Sequence, residues 1–208
     1  MPATDVVVMG GGPGGSTCAT LLAIKGHRVV LLEKDRFPRF MIGEGLLPST
    51  SDIWDRLGVV SAIESAGYPV KRGVRFRIED TTGASEYDIR TDEFPNFFVK
   101  PYSYHVDRAH FDQLLLDNAR SKGVDAREGC PVDDVIYEGA RAVGVRYTDE
   151  NGAHHEIRSS VVVDATGRRT LLGAKLKRRL RAKRVQGTDG LNRRPVSGGR
   201  RRRALIRP

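Results

Sequence analysis

The sequence predicts an α/β fold with a parallel central sheet and a second, antiparallel sheet. Asp5–Met9 is a β-branched-rich run that leads through a glycine-rich turn and a helix to a second apolar run, His27–Glu33. This order is typical of a β-α-β unit, and such crossovers imply a parallel sheet. Further along, Val74–Ile78 and Ser85–Ile89 resemble two antiparallel strands joined by the turn at residues 80–83.

Two helices are predicted beside these first strands and one after them. Ser16–Lys25 has small and apolar residues at helical spacing and stops at Gly26. After an irregular stretch at residues 34–48, a helix runs from Thr50 or Ser51 to Leu57. Asp107–Lys122 is amphipathic, and its apolar residues on or near one face are Ala109, Phe111, Leu114, Leu115 and Ala119.

The last third of the predicted domain consists of short strands. They are expected over Val124–Arg127, Val132–Glu138, Ala142–Tyr147 and His155–Arg158. Residues 149–152 supply a hairpin turn. Ser159–Asp164 contains the apolar run Val161-Val162-Val163 and is predicted to be a separate, buried parallel strand. Leu171–Ala174 is a candidate cap of the domain.

Charge divides the chain into two parts. The 208 residues carry a net charge of +9, but residues 168–208 hold 16 of the 35 basic residues and a single acid, Asp189. Residues 1–174 therefore read as one mildly acidic, enzyme-like domain, and residues 175–208 as a basic tail expected to be disordered. Its arginine, glycine and proline richness also suits GC-rich coding sequence read in a shifted frame.

Composition also indicates the cellular compartment in which the protein acts and the kinds of partner that it binds. Two cysteines, Cys18 and Cys130, are too few for a disulfide framework, so a reducing cytoplasm is expected. The apolar run Val6–Met9 is too short to span a membrane, and no basic segment of a signal peptide precedes it. A nucleic-acid binder is a weaker alternative, because the basic tail has no aromatic residue for base stacking and no recognition motif.

Gly10-x-Gly12-x-x-Gly15 is the first motif that points to chemistry. A strand precedes it, a helix follows it, and Glu33 ends the next strand, as in dinucleotide-binding units. Gly10 permits the tight turn, Gly12 the approach of a diphosphate, and Gly15 close packing of helix on strand. The diphosphate would sit at the helix N-terminus, whose candidate contacts are Pro13, Gly14 and Ser16. Glu33 is placed to bind ribose hydroxyls. Because the basic Lys34 stands beside it, a nucleotide with a 2′-phosphate on this ribose is left as an alternative.

A second segment favours a flavin over a nicotinamide. The buried run at residues 161–163 ends in Asp164-Ala165-Thr166-Gly167, which resembles the strand of flavoproteins that passes near FAD. In those proteins an arginine at the start of a helix touches the flavin nucleotide, and Arg108 matches it. Taken alone, Arg108 would be read as a solvated residue at a helix start.

With these motifs assembled, the chain resembles the superfamily of FAD-dependent monooxygenases and reductases with a glutathione-reductase-type, Rossmann-like fold. Phe37–Pro48 resembles the F-P-R-x-x-I-G-E-S-L-L-P segment of flavin-dependent halogenases, but Gly45 stands where serine is usual. Geranylgeranyl reductases and some hydroxylases share parts of this segment and stay as alternatives. The resemblance adds four candidate contacts of the cofactor: Arg39, Ile42, Gly43 and Glu44.

The halogenase resemblance implies a reaction and its partners. Reduced FAD, dioxygen and a halide give hypohalous acid, and a lysine directs this oxidant to an electron-rich aromatic substrate, either small or tethered to a carrier. A separate flavin reductase would supply the reduced FAD. Lys71 is expected to be that lysine, just before the first strand of the substrate-side sheet, although most lysines at such positions are simply exposed.

The resemblance covers residues 4–174. The W-x-W-x-I-P segment and the later Gly-Asp motif of the family do not occur, so the fold is expected to be incomplete at its C-terminus. The 208-residue chain is accordingly expected to bind FAD weakly and to catalyse little. His105 and His110 are interpreted as structural, and Trp54 and Phe97-Phe98 as core or lid packing.

Overall fold

A computed structural model describes residues 4–80, 83–90 and 100–175 of the chain. The strands are β1 (Thr4–Met9), β2 (Val29–Leu32), β3 (Glu44–Gly45), β4 (Val70–Lys71), β5 (Gly73–Asp80), β6 (Gly83–Arg90), β7 (Ser103–Val106), β8 (Asp125–Arg127), β9 (Val132–Glu138), β10 (Arg141–Thr148) and β11 (His154–Asp164). The helices are α1 (Pro13–Ile24), α2 (Thr50–Leu57), α3 (Val60–Ser65), α4 (Arg108–Ser121) and α5 (Leu171–Lys175). The tail from residue 176, the pair Phe97-Phe98 and the tip of the turn at residues 81–82 lie outside the described residues.

The main sheet has six strands in the order β8-β2-β1-β11-β10-β9. β1 pairs in parallel with both β2 and β11, and β2 pairs in parallel with β8, which confirms the predicted β-α-β unit. The hairpin strands β9 and β10 extend the sheet in antiparallel fashion from β11.

β11 corrects the prediction of two separate strands, His155–Arg158 and Ser159–Asp164. It is one strand of 11 residues. Its first half pairs antiparallel with β10, from His154 to Arg158, and its second half pairs parallel with β1, from Ser159 to Asp164. No turn residue separates the halves, so the change of partner requires no break in the backbone.

The apolar strands of the main sheet are covered on both faces. Along β1, Val6 and Val8 pack with residues of α1 and α4, whereas Val7 and Met9 pack with residues of β9 and β10. Alternation of side chains between the two faces of a strand produces this division. It also explains why β1 is apolar throughout, as the sequence indicates.

A small sheet in the order β3-β7-β4 lies beside a separate core. That core contains Trp54 of α2, Ile63 of α3, Tyr104 of β7 and Phe111 of α4, so Trp54 has the packing role predicted for it. β3, β4, β7 and α3 were not predicted from the sequence. Strands of two to four residues carry too few side chains to show a periodic pattern.

β5 and β6 form a two-stranded ribbon in full register, as predicted. Ion pairs join Arg75 to Asp88 and Arg77 to Glu86. The register places Val74, Phe76, Ile78 and Ile89 on the opposite face, where the last three are exposed. Within the described part of the chain, neither strand pairs with a third.

No helix among the described residues is long and apolar enough to cross a membrane. No group of three or more histidine, cysteine or acidic side chains in residues 4–80, 83–90 and 100–175 could hold a metal ion.

Candidate nucleotide-binding site

The glycine turn between β1 and α1 is fitted tightly against the end of β11. Gly10 has a φ of +106°, and a Cβ atom there would lie 2.5 Å from the carbonyl oxygen of Ala165. A Cβ at Gly15 would overlap the carbonyl oxygen of Gly10 and lie 3.2 Å from the Cβ of Ala165. The Ala165 N–H in turn donates to the Met9 carbonyl at 2.9 Å. Glycine is therefore required at positions 10 and 15, as the motif predicts.

The N-terminus of α1 has no side-chain cap among the described residues. Gly12 occupies the N-cap position and Pro13 begins the helix, with no side chain accepting from the first backbone N–H groups. A helix end of this kind has unpaired donors and the positive end of the helix dipole. Around Gly14 a Cβ would meet nothing within 4 Å, so there is free space beside this end. Both features suit an anion such as a diphosphate.

Ser16 and Glu33 support the turn from inside the protein. The buried Ser16 hydroxyl donates to the Gly11 carbonyl at 2.8 Å. Glu33 is 4% exposed, and its carboxylate accepts from the backbone N–H of Gly11 at 2.6 Å and of Asp35 at 2.9 Å. Glu33 thus ends at the glycine turn, where the motif predicts a ribose. Lys34 is directed elsewhere and pairs with Asp35 at 2.7 Å.

A buried acid that the sequence analysis did not identify organises two of the predicted arginines. Asp112 in α4 is fully buried and accepts from Arg108 Nε at 2.6 Å and Nη2 at 3.0 Å. The remaining Nη1 of Arg108 donates to Glu44 at 2.7 Å. The hydrogen bonds to Asp112 are the main cause that raises the pKa of Arg108. Arg108 is therefore a buried, paired group, and its reading as a solvated helix-start residue is wrong.

Arg39 is the second arginine beside Asp112. Its Nη1 lies 3.3 Å from Asp112 Oδ2, and its guanidinium carbon lies 4.5 Å above the ring centre of Phe37. Its Nη2 would be 3.7 Å from a Cβ at Gly12, so the guanidinium borders the glycine turn. Its Nε lies 3.5 Å from Asp35 Oδ2, so the buried atoms Nε and Nη1 each face a carboxylate, although neither contact among the described residues has the geometry of a hydrogen bond.

The described residues fit a diphosphate, because the glycine turn and the N-terminus of α1 lie beside the Arg39 guanidinium. The Glu33 carboxylate accepts from the Gly11 N–H at the same turn, where a ribose would follow. Asp112 could have been found from the spacing of Arg108 and Asp112, because residues four apart share one face of a helix.

The end of β11 forms its own turn through Asp164. One carboxylate oxygen accepts from the backbone N–H of Thr166 at 3.0 Å and from its hydroxyl at 2.5 Å. The other accepts from the backbone N–H of Leu172 at 2.8 Å. Gly167 follows with a φ of +62°. Of these predicted contacts, Ala165 borders the glycine turn directly, whereas Asp164 and Thr166 bind each other and α5.

Asp164 gives the site a pH dependence. Its burial by itself raises the pKa, but the hydrogen bonds from Thr166 and Leu172 outweigh this and leave the pKa below its ordinary value. The ionised carboxylate therefore stabilises the fold above the unfolded pKa of about 3.9, and this stabilisation is lost as pH falls through the lower folded pKa. We expect Asp164→Asn to lower the melting temperature at neutral pH, with a difference from the wild type that shrinks in acid. Melting curves across pH test this, and a pH-independent difference would contradict it.

The halogenase-like segment leads from the arginines to the small sheet. Ile42 is 78% exposed, and Gly43 approaches Val106, with a built Cβ only 3.0 Å from its carbonyl oxygen. Glu44 begins β3 and pairs with Arg108. The segment therefore connects the nucleotide site to β3 through an ion pair.

Lys71 lies just before β5, the strand predicted at residues 74–78, and it also ends the short strand β4, which was not predicted. Its amine donates to the carbonyl oxygens of Gly45, at 3.3 Å, and Leu46, at 3.1 Å. Lys71 thus contacts the end of the halogenase-like segment but none of the glycine turn, and the two parts of the predicted site meet through β3. His110 is structural, as predicted, because its Nδ1 lies 2.8 Å from the Tyr68 hydroxyl.

Known proteins share this arrangement. A family model described as "FAD binding domain" matches residues 3–191. A tryptophan 2-halogenase of Chondromyces crocatus is 37% identical over 171 residues, covering 81% of this chain and 31% of the relative. A chlorinase of pyrrole-2-carbonyl peptidyl-carrier protein from Pseudomonas fluorescens is 35% identical over 185 residues, covering 83% and 41%.

A solved structure agrees with these relatives. The myxobacterial chondrochloren halogenase, described as a variant of FAD-dependent halogenases, superposes with a TM-score of 0.74 at 45% identity, over 80% of this chain and 38% of that one. The chain thus spans between about a third and two fifths of the length of these relatives. The family match extends over most of the chain and includes every glycine, acid and arginine of the nucleotide site. This chain belongs to the FAD binding domain family, and FAD is its cofactor.

Proposed function

We propose that the chain functions in flavin-dependent halogenation of an electron-rich aromatic substrate, with Lys71 as the residue that directs the oxidant. When bound, reduced FAD supplies the electrons with which dioxygen converts a halide to hypohalous acid. The observation that carries the proposal is the contact of Lys71 with Gly45 and Leu46 of the halogenase-like segment Phe37–Pro48, in which the adjacent Glu44 pairs with Arg108. Relatives named as halogenases support the same reaction.

Each group at the nucleotide site has a role in this proposal. The N-terminus of α1, with Gly12 to Ser16, would bind the diphosphate together with Arg39 and Arg108. Glu33 would accept hydrogen bonds from the ribose beside it. Asp164 to Gly167 would shape the floor against which the glycine turn packs. These assignments rest on charge, on burial and on the position of the Arg39 guanidinium beside the glycine turn.

Lys71 would act on the oxidant rather than on the cofactor. Lys71 is half-buried, and its amine is oriented by hydrogen bonds to two backbone carbonyls; among the described residues it has no ion pair with a carboxylate. An amine oriented in this way can donate a hydrogen bond to hypohalous acid or attack its halogen. The substrate is expected to be a small or carrier-tethered aromatic compound, as a relative named for a carrier-bound pyrrole suggests. A separate reductase would supply reduced FAD, in the cytoplasm.

Loss of the Lys71 amine should abolish halogenation. We expect Lys71→Ala to lower the rate of halogenated product by at least about 100-fold, the range lost when a positioned proton-transfer group is removed. FAD binding and flavin oxidation should persist, because Lys71 contacts no group of the nucleotide site. The measurement is mass spectrometry of products formed from phenolic and pyrrolic substrates with reduced FAD, dioxygen and chloride or bromide. It is made on a chain extended by the later halogenase segments, because the 208-residue chain is expected to catalyse little.

This test includes a matched control variant and assays for the competing activities. Lys122→Ala removes an exposed lysine after α4 and should leave product formation unchanged. Unchanged halogenation in Lys71→Ala would remove Lys71 from the mechanism. A hydroxylated product formed without halide would instead identify a monooxygenase, and reduction of a polyprenyl chain a geranylgeranyl-type reductase.

A further inference from the structure

Position 45 lies against the Lys71 amine, on the far side of the central strand of the small sheet. Gly45 of β3 pairs with His105 of β7, and Lys71 of β4 pairs with Ser103 on the other edge of β7. The lysine side chain reaches across β7 to the Gly45 and Leu46 carbonyls. A residue far away in sequence therefore borders the proposed functional amine.

The contact depends on the absence of a side chain. A Cβ at Gly45 would lie 3.2 Å from Lys71 Nζ and 3.0 Å from Nδ1 of His105. Gly45 is not among the glycines with positive φ, so its backbone does not itself demand glycine. The amine is the end of a flexible chain and would move before the strand does. A side chain at position 45 would therefore press on both the His105 ring and the amine and shift them slightly, which weakens the amine's hydrogen bonds of 3.1 and 3.3 Å to the two carbonyls.

We propose that the missing side chain at position 45 determines where the Lys71 amine rests and how readily it reacts. In this chain the Lys71 amine donates hydrogen bonds to the Gly45 and Leu46 carbonyls. The imidazole of His105 also lies beside Gly45. A serine, the usual residue of the halogenase segment, would insert a hydroxyl between amine and ring. Gly45 is thus a positioning residue that acts through Lys71, an inference that rests on the proposed role of Lys71.

Competitive acetylation of the 208-residue chain tests this without catalysis. Trace acetic anhydride labels each lysine at a rate that reflects the freedom of its amine, and mass spectrometry resolves the sites. We expect Gly45→Ala to raise the labelling rate of Lys71 by about two- to fivefold, because hydrogen bonds to carbonyls are weakened. Gly45→Ser should give a smaller rise, since its hydroxyl can accept from the shifted amine. Lys25 and Lys122, both exposed, serve as references within each sample.

The results separate this inference from the proposed function. An unchanged Lys71 rate in both variants, with reference lysines also unchanged, would overturn the positioning role of Gly45. Equal rises at Lys71, Lys25 and Lys122 would overturn it too, because they would indicate general loosening of the fold. A selective rise at Lys71 supports it. Halogenation that survives Lys71→Ala would remove the proposed role of Lys71 in the reaction and leave the labelling result standing.

Discussion

Asp112→Ala is expected to lower the free energy of unfolding by about 3–5 kcal/mol, the usual loss when one partner of a buried ion pair is removed. The carboxylate is fully buried between Arg108 and Arg39, and both guanidinium groups would stay behind without it. Two like charges would then face each other in a site with little water. Urea denaturation followed by circular dichroism measures the difference.

The same helix supplies the control for that experiment. Asp117 of α4 pairs with Arg120 at 3.0 Å on an exposed face, where a salt bridge contributes about 0–1 kcal/mol. Asp117→Ala should therefore change stability little. Asp112→Asn, which keeps the shape and loses the charge, should fall between the two. Equal losses in Asp112→Ala and Asp117→Ala would show that the buried acid does not organise the arginines.

Gly15→Ala should remove nucleotide binding and destabilise the fold. The added methyl group would overlap the Gly10 carbonyl oxygen and press on Ala165, so the turn or the end of β11 must shift. Overpacking of this kind costs about 1–3 kcal/mol. We expect affinity for ADP, which carries the diphosphate and ribose of FAD, to fall by at least about tenfold, as a loss of roughly 1.4 kcal/mol implies. Isothermal titration calorimetry measures this affinity.

Gly14→Ala separates the effect of shape from the effect of a new methyl group. A Cβ at this position meets nothing within 4 Å, so the variant should keep the melting temperature of the wild type. A stable Gly15→Ala protein with unchanged ADP affinity would show that the glycine turn does not hold the diphosphate.

The sequence was sufficient to predict those elements of the fold that have a local pattern of their own. The β1–α1–β2 unit, α4 and the β5–β6 ribbon were predicted within a few residues, because each has an apolar periodicity or a turn signal of its own. The small sheet was missed because β3, β4 and β7 are specified by pairing partners distant in sequence. β11 was divided in two because its change of partner leaves no mark in its residues.

In the candidate site, too, some features follow from a local motif and others depend on residues that are distant in sequence. The glycine motif predicted a turn that the structure confirms, since backbone conformation and close approach depend on residue type at fixed spacing. The assignment of individual contacts to FAD stays a prediction. The contact of Asp112 with Arg39 and the link between Gly45 and Lys71 arise from packing of distant segments, which no local pattern records.

The uninterrupted course of β11 ties the outer hairpin to the floor of the nucleotide turn. Because successive side chains of a strand alternate between faces, an added or deleted residue inside β11 would invert every later position up to Asp164. Ala165 would then no longer fit beneath Gly10 and Gly15. An insertion at residues 149–152 would be absorbed in the turn that precedes the strand. Evolution can therefore vary the length of that hairpin tip freely, while the spacing from His154 to Ala165 must be kept.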